Sequence, residues 1–177
     1  MFIMGRADQG PFDLLALLRG PMEFMMDLIT EDEDVIKHAF DWAAEAHIRF
    51  ARAQLQAGAH ATSMGDVYAG QSLVSPDIYR NLAFPYEKKV TEALKDLNGW
   101  YSIHICGKAN LIIDAMGRTG ADILEIDWET DGVRKHKPSD GVVQLLTVTE
   151  KQYSRMEYIV GTNESDVLNT DERFIEL

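Results

Sequence analysis

WYSIHIC (residues 100–106) has the apolar, aromatic and β-branched composition of a buried strand, and it ends in a histidine and a cysteine two residues apart. Side chains on a strand alternate between its two faces, so His104 and Cys106 point to the same face. Ile103 and Ile105 point to the other face. Imidazole and thiolate groups are both metal ligands, so the end of this strand is a candidate site.

The segments around this strand alternate between apolar runs and helical patterns. The predicted strands are FIMG (2–5), AHATSMGD (59–66), WYSIHIC (100–106) and ADILEID (121–127). The predicted helices contain LLALL (14–18), the run from Thr30 to Gly58, the run from Ser75 to Asn98 with a break at Pro85, and NLIIDAMGRTG (110–120). Such alternation is typical of a parallel sheet covered by helices. We therefore predict an α/β fold.

Local patterns predict three details of these helices. Thr30 and Glu33 match a capping box, which predicts the start of the long helix that ends at Gly58. Ser75 is the predicted N-cap of the next helix. Glu87 belongs to a charged run that we interpret as a solvent-exposed helix face, together with Lys88, Lys89, Glu92 and Lys95.

Polar residues lie at or near the C-terminal ends of the predicted strands, namely Asp66, His104, Cys106 and Asp127. In (β/α)8 barrels, these ends and the loops after them form the active site. A complete barrel takes about 250 residues, and this chain has 177. We therefore predict part of a (β/α)8 TIM barrel in residues 1–131, followed by a C-terminal extension, residues 132–177, for which no clear periodicity indicates a fold.

The composition limits the classes of partner. The chain has 29 acidic and 17 basic residues, a net charge of −12, which disfavours nucleic acid and anionic membrane surfaces. A single cysteine excludes an internal disulfide. No apolar run approaches the ~20 residues of a membrane span, and the N-terminus lacks a secretory signal pattern. We expect a cytoplasmic protein.

Four segments, in this order and at these separations, resemble the uroporphyrinogen decarboxylase superfamily: GRADQGPFDLLALLRG (5–20), GDVYAGQSLVSPDIYRNLAFPYEKKV (65–90), HICG (104–107) and TGADILEIDW (119–128). The resemblance covers about residues 2–130 and is greatest to the corrinoid-linked branch, which includes the methylcobalamin:coenzyme M methyltransferases. Members are eight-stranded barrels. The resemblance therefore implies that these residues form the middle portion of such a barrel.

The resemblance also implies a metal and a reaction. The methyltransferase branch uses a His-X-Cys motif as two zinc ligands, and His104-Ile105-Cys106 matches that motif, with Asp127 as a further candidate ligand. The implied reaction transfers a methyl group from a corrinoid, presented by a partner protein, to a small thiol. Zinc coordination deprotonates a thiol and so makes it a nucleophile at neutral pH.

Four further residues are candidates for the substrate pocket. Arg6 and Gln9 follow the first predicted strand, and Asp66 and Tyr68 follow the second. Each has a structural alternative, because Asp66 can cap a turn, the two loop residues can be solvated and the tyrosine can pack at the edge of a helix.

Two features depart from the methyltransferase pattern. Family members supply another zinc-ligating cysteine well downstream, whereas Cys106 is the only cysteine here. The Gly-Asn-X-Asp-Pro segment expected after TGADILEIDW is also absent. Two alternatives stay open: a decarboxylase acting on the acetate side chains of a tetrapyrrole, in which Val67 replaces an expected serine, and a non-catalytic barrel fragment that acts through self-association as a homo-oligomer or through a partner chain.

Overall fold

The sheet is built from parallel strands in the order of the chain. The structure is a computed structural model that describes residues 2–127, residue 130 and the backbone of residues 144–145. The parallel strands are β1 (Met4–Arg6), β2 (Ala61–Gly65), β3 (Trp100–Ile105) and β4 (Ile123–Ile126). A two-residue strand, β5 (Gln144–Leu145), pairs antiparallel with β4. The prediction of an α/β fold with a parallel sheet is confirmed.

Helices connect each parallel strand to the next. Between β1 and β2 lie α1 (Pro11–Arg19), α2 (Pro21–Thr30) and α3 (Glu33–Gln56). Between β2 and β3 lie a 3-10 turn (Val67–Ala69), α4 (Pro76–Ile78), a π-helical turn (Tyr79–Ala83) and α5 (Phe84–Leu94). The short helix α6 (Ile113–Gly117) connects β3 to β4.

The strand register separates an apolar face from a polar face. Met64 pairs with Ile103, which pairs with Leu124, and all three are buried in the hydrophobic core with residues of the helices. His104 pairs with Gly65 on one side and Glu125 on the other, and therefore lies on the opposite face of the sheet. The C-terminal ends of the parallel strands meet at one edge, where the candidate residues lie.

The long helix does not begin where the capping box predicted. Thr30 is the last residue of α2, and its hydroxyl donates to the backbone oxygen of Met26 at 3.0 Å. The next helix begins at Glu33 after Asp32. The capping-box prediction is wrong because Gly20-Pro21 begins a separate helix, which the sequence analysis did not identify.

The two predictions for the second connection are confirmed. The Ser75 hydroxyl accepts a hydrogen bond from the Ile78 backbone N–H at 3.2 Å, as expected of an N-cap. Pro85 lies in the first turn of α5, directly after the π-helical turn, so the regular helix is interrupted where the proline predicted.

Most of the predicted C-terminal extension, residues 132–177, lies outside the described residues. Among the residues that are described, no helix has the length and apolar composition needed to cross a membrane.

Candidate functional site

His104 and Cys106 of the His-X-Cys motif are in contact. His104 Nε2 lies 2.8 Å from Cys106 Sγ, and both side chains are partly buried at the end of β3. His104 Nδ1 is fully buried and has no hydrogen-bond partner among the described residues. The alternation of strand side chains, with a Gly107 turn at φ 77°, places the two donor atoms together.

Asp127 lies beside this pair and holds the turn after it. Its Oδ2 accepts the Gly107 N–H at 2.6 Å. Thr130 supports the same turn, because its hydroxyl accepts the Ala109 N–H at 3.0 Å. In the part of the chain that the structure describes, no three His, Cys, Asp or Glu side chains are grouped so that they could hold a metal ion. The pair therefore provides two donors and not a complete metal site.

Asp66 connects helix α1 to the end of β3. It is fully buried, and its two carboxylate oxygens accept the backbone N–H groups of Asp13 at 2.7 Å and Phe12 at 3.4 Å. Its own N–H donates to the backbone oxygen of His104 at 3.0 Å. Burial raises its pKa well above the usual range, and the charges of Glu87 and Asp13 raise it further.

Asp13 is a site residue that is not among the candidates predicted from the sequence. It is buried in the first turn of α1, and its Oδ1 accepts the Tyr68 N–H at 2.7 Å. Burial raises its pKa to about 6, against the lowering effect of the Tyr68 and Val67 amides and of His104. The signal available in the sequence was an acidic residue directly after GPF, at the start of a helix.

Glu87 is buried, so the prediction that it is exposed to solvent is wrong. It is fully inaccessible, and the Tyr79 hydroxyl donates to its Oε2 at 2.5 Å. Its Oε1 has no hydrogen-bond partner among the described residues. Burial raises the pKa of Glu87 to about 7. The charged run gave a wrong prediction for Glu87 because this residue lies on the inward face of α5, whereas Lys88, Lys89 and Glu92 are exposed.

The electrostatic environment favours a cation beside Cys106. Burial raises the pKa of the Cys106 thiol, and the carboxylates of Asp127 and Asp13 raise it further. A thiol in such a place stays protonated at neutral pH unless a positive charge replaces the proton. The same carboxylates that disfavour a free thiolate would attract a metal ion.

The remaining candidates have no hydrogen bond to His104 or Cys106 among the described residues. Arg6 is exposed and pairs with Asp8 at 3.0 Å. Gln9 has a positive φ of 75°, and its backbone oxygen lies 3.1 Å from Nδ1 of the buried His47. Tyr68 is partly buried and packs against the core. The structure thus groups His104 and Cys106 with Asp127, Asp66 and Asp13.

Comparison with known proteins relates the chain to two kinds of enzyme. A family profile described as uroporphyrinogen decarboxylase (URO-D) matches residues 4–172. Methylcobamide:CoM methyltransferase MtbA of Methanosarcina mazei is 32% identical over 122 residues, which are 69% of this chain and 35% of that protein. Uroporphyrinogen decarboxylase of Synechocystis sp. is 36% identical over 102 residues, 56% of this chain and 28% of that protein. The chain spans about a third of the length of these relatives.

A solved structure has the same fold. A methyltransferase from Methanosarcina mazei matches with a TM-score of 0.65 at 31% identity, over 70% of this chain and 35% of that one. A shorter match is to a different kind of protein: CRISPR-associated endoribonuclease Cas2 of Treponema denticola is 53% identical over 45 residues, 25% of this chain and 45% of that protein. The profile match covers most of the sequence, and the chain belongs to the uroporphyrinogen decarboxylase (URO-D) family.

Proposed function

We propose that this chain carries part of the site of a zinc-dependent methyltransferase, which transfers a methyl group from a corrinoid on a partner protein to a small thiol. The observation that carries the proposal is the 2.8 Å contact between His104 Nε2 and Cys106 Sγ at the C-terminal end of β3. Imidazole and thiolate are the donors that zinc prefers, and barrel enzymes place their chemistry at this end of the strands.

The donor set fits two positions of a zinc site. Cys106 would lose its proton on metal binding, and the neighbouring carboxylates of Asp13 and Asp127 would stabilise the added positive charge. The remaining ligands would come from Asp127, released from Gly107, or from outside the described residues. When bound, the metal would lower the pKa of a substrate thiol and so make it a nucleophile.

Metal content tests this proposal directly. Purified chain, freed of metal and then titrated with Zn²⁺, is expected to bind zinc, and Cys106→Ala and His104→Ala are expected to abolish the binding. His38→Ala is the matched control, because His38 is exposed on α3, far along the chain from the motif. Absence of zinc from the unmodified chain would contradict the proposal.

Methyl transfer itself is a property of a longer protein in the relatives, since this chain spans about a third of MtbA. We therefore expect transfer from a methylcobamide to a thiol only when a second polypeptide supplies the rest of the barrel. The assay is loss of the methylcobamide absorption spectrum with and without such a polypeptide. Transfer by a Cys106→Ala variant at the rate of the unmodified chain would contradict a role for the pair.

A decarboxylase is the alternative enzyme, and its support is the Synechocystis relative. Asp66 would be its substrate-binding carboxylate, but both oxygens of Asp66 accept amides of α1. The decarboxylase reaction needs no metal, so loss of carboxyl groups from a tetrapyrrole substrate in the presence of a chelator would favour this alternative over methyl transfer.

We infer that residues 1–131 are the barrel portion and that residues 132–177 are a C-terminal extension of it, into which the family profile continues as far as residue 172. The 122-residue match to MtbA has about the length of the barrel portion. Such a chain would be a barrel fragment, and the basis of the non-catalytic alternative is that an incomplete sheet has strand edges that another chain must cover. Its activity would then lie in association with another chain.

A further inference from the structure

Asp13 and Asp66 are buried aspartates, and each accepts a backbone hydrogen bond from the connection to which the other belongs. Asp13 belongs to the connection after β1, and Asp66 to the connection after β2. The Asp66 carboxylate accepts the Asp13 N–H at 2.7 Å, and the Asp13 carboxylate accepts the Tyr68 N–H, also at 2.7 Å. We name this reciprocal arrangement of Asp13 and Asp66 the carboxylate clasp.

The carboxylate clasp is attached to the metal-ligand pair through the backbone. The Asp66 N–H donates to the His104 backbone oxygen at 3.0 Å. The turn after Asp66 closes onto the end of β3, since a Cβ atom at Gly70 would lie 3.2 Å from Ile105 Cγ2 and 3.4 Å from the Cys106 backbone oxygen. Movement of this turn would therefore remove packing from the end of β3, where Cys106 lies.

The packing around the carboxylate clasp leaves no room for a side chain at Gly10. A Cβ atom at Gly10 would lie 2.6 Å from Asp66 Cγ and 2.8 Å from Met64 Cγ. The Gly10 N–H also donates to the Gly65 backbone oxygen at 2.7 Å, so the two loops are joined at a second point. Both carboxylates are buried, which makes hydrogen bonds to charged or polar partners worth more than at the surface.

We propose that Asp13 is a positioning residue for the His104–Cys106 pair and acts on it through the carboxylate clasp. The proposal deepens the proposed function, on which the metal-binding role of the pair rests. Asp13 acts by accepting the Tyr68 N–H, which keeps the turn at residues 67–70 closed over the end of β3. An asparagine, which has the same shape and retains a carbonyl acceptor, can replace it in this role.

The single cysteine makes the test independent of metal. We would measure the rate at which iodoacetamide alkylates Cys106 at one fixed pH, with circular dichroism to confirm that each variant is folded. Asp13→Ala is expected to raise the rate severalfold. Asp13→Asn removes the same negative charge but keeps the acceptor for the Tyr68 N–H, so it is expected to raise the rate much less than Asp13→Ala does.

Asp122→Ala is the matched control. The Asp122 carboxylate accepts the Tyr101 N–H at 2.9 Å, so it makes the same kind of hydrogen bond to β3 at the end remote from Cys106. This variant is expected to alkylate at the rate of the unmodified chain. The proposal is overturned by an unchanged rate in Asp13→Ala, by an equal rise in Asp122→Ala or by a rise in Asp13→Asn as large as in Asp13→Ala.

Hydrogen exchange and zinc binding decide the two remaining cases. If Asp13→Ala does not fold, hydrogen exchange in the unmodified chain decides: the Tyr68 amide is expected to be strongly protected, and exchange at the rate of an open loop overturns the proposal. Failure of the unmodified chain to bind zinc would instead contradict the proposed function alone, because the alkylation rates require no metal.

Discussion

Glu87 is a carboxylic acid that the fold keeps away from water. Folding transfers it from solvent, where a glutamate titrates near 4.5, to an environment that raises its pKa to about 7. Between these two pH values the folded state binds more protons than the unfolded state, so the free energy of unfolding falls as pH rises. The neutral acid, hydrogen-bonded to Tyr79, is the form that suits this position.

We predict that Glu87→Gln reduces this loss of stability. The unmodified chain should have its full Glu87 contribution below the usual carboxyl range and lose it as the pH approaches about 7. The glutamine variant, which carries no titrating group, should show a flatter dependence of the melting temperature on pH. Glu92→Gln on the exposed face of the same helix is the control. Parallel pH profiles for Glu87→Gln and the unmodified chain would contradict the prediction.

The carboxylate clasp also requires a glycine. Gly10→Ala would place a Cβ atom 2.6 Å from Asp66 Cγ, and we predict destabilisation of about 1–3 kcal/mol from overpacking. Gly65→Ala is a matched control, because nothing lies within 4 Å of a Cβ atom there. Denaturant unfolding would measure both. Equal stability of the two variants would show that the loop moves freely to accept the methyl group.

The distance along the chain between partners decided which site residues the sequence could reveal. His104 and Cys106 are two residues apart on a strand, and alternation alone puts them together. The partners of Asp13 are 53 and 55 residues away, so no local pattern indicates its role. The burial of Glu87 depends in the same way on how α5 packs, which a charged run does not reveal.

Among the secondary-structure elements, the connection between β2 and β3 depends on its N-cap. Ser75→Ala would leave the Ile78 N–H without its acceptor, and we predict a loss of about 1 kcal/mol. Ser75→Thr should retain most of the stability, because its hydroxyl can accept the same bond. The exposed Ser72 in the preceding loop provides the control Ser72→Ala. Thermal unfolding followed by circular dichroism would measure the three variants, and an equal melting temperature for the two alanine variants would contradict the prediction.

Local sequence signals predicted a helix start correctly where a single helix end was nearby. They predicted it incorrectly where the end of one helix and the start of the next lie close together. Ser75-Pro76 follows a loop, and its helix begins as predicted. At Thr30, the end of α2 and the start of α3 are separated by two residues, and both ends offer polar side chains that can serve as caps. Tertiary packing of Phe24 between Phe12 and Phe40 favours the separate helix α2, and sequence spacing alone does not predict that contact.

At the scale of the whole molecule, the parallel sheet was predictable because strand and helix alternate along the chain. The number of strands in a complete barrel was not predictable, because that number depends on residues beyond those that resemble the family. Exposed apolar side chains at Met22, Met26 and Ile29 follow one face of α2 at helical spacing. A complete barrel of the relatives' length has more elements available to pack against such a face.

The inferred boundary after Asp131 leads to the last prediction. The described hydrogen bonds of the His104–Cys106 pair and of the Gly107 turn after it, to Asp66 and Asp127, all lie within residues 2–130. A chain that ends at residue 131 would lose the pairing of β5 with β4, which involves two residues of each strand. We therefore predict cooperative unfolding with a melting temperature within a few degrees of the full chain, and the same rate of Cys106 alkylation.

Differential scanning calorimetry and iodoacetamide labelling of the full and shortened chains would measure these quantities. A control that shortens the chain to residue 120 removes β4, whose pairing with β3 includes His104 and Glu125, and it should expose Cys106 and abolish the transition. If the chain ending at residue 131 behaves like this control, the extension is a structural part of the barrel portion.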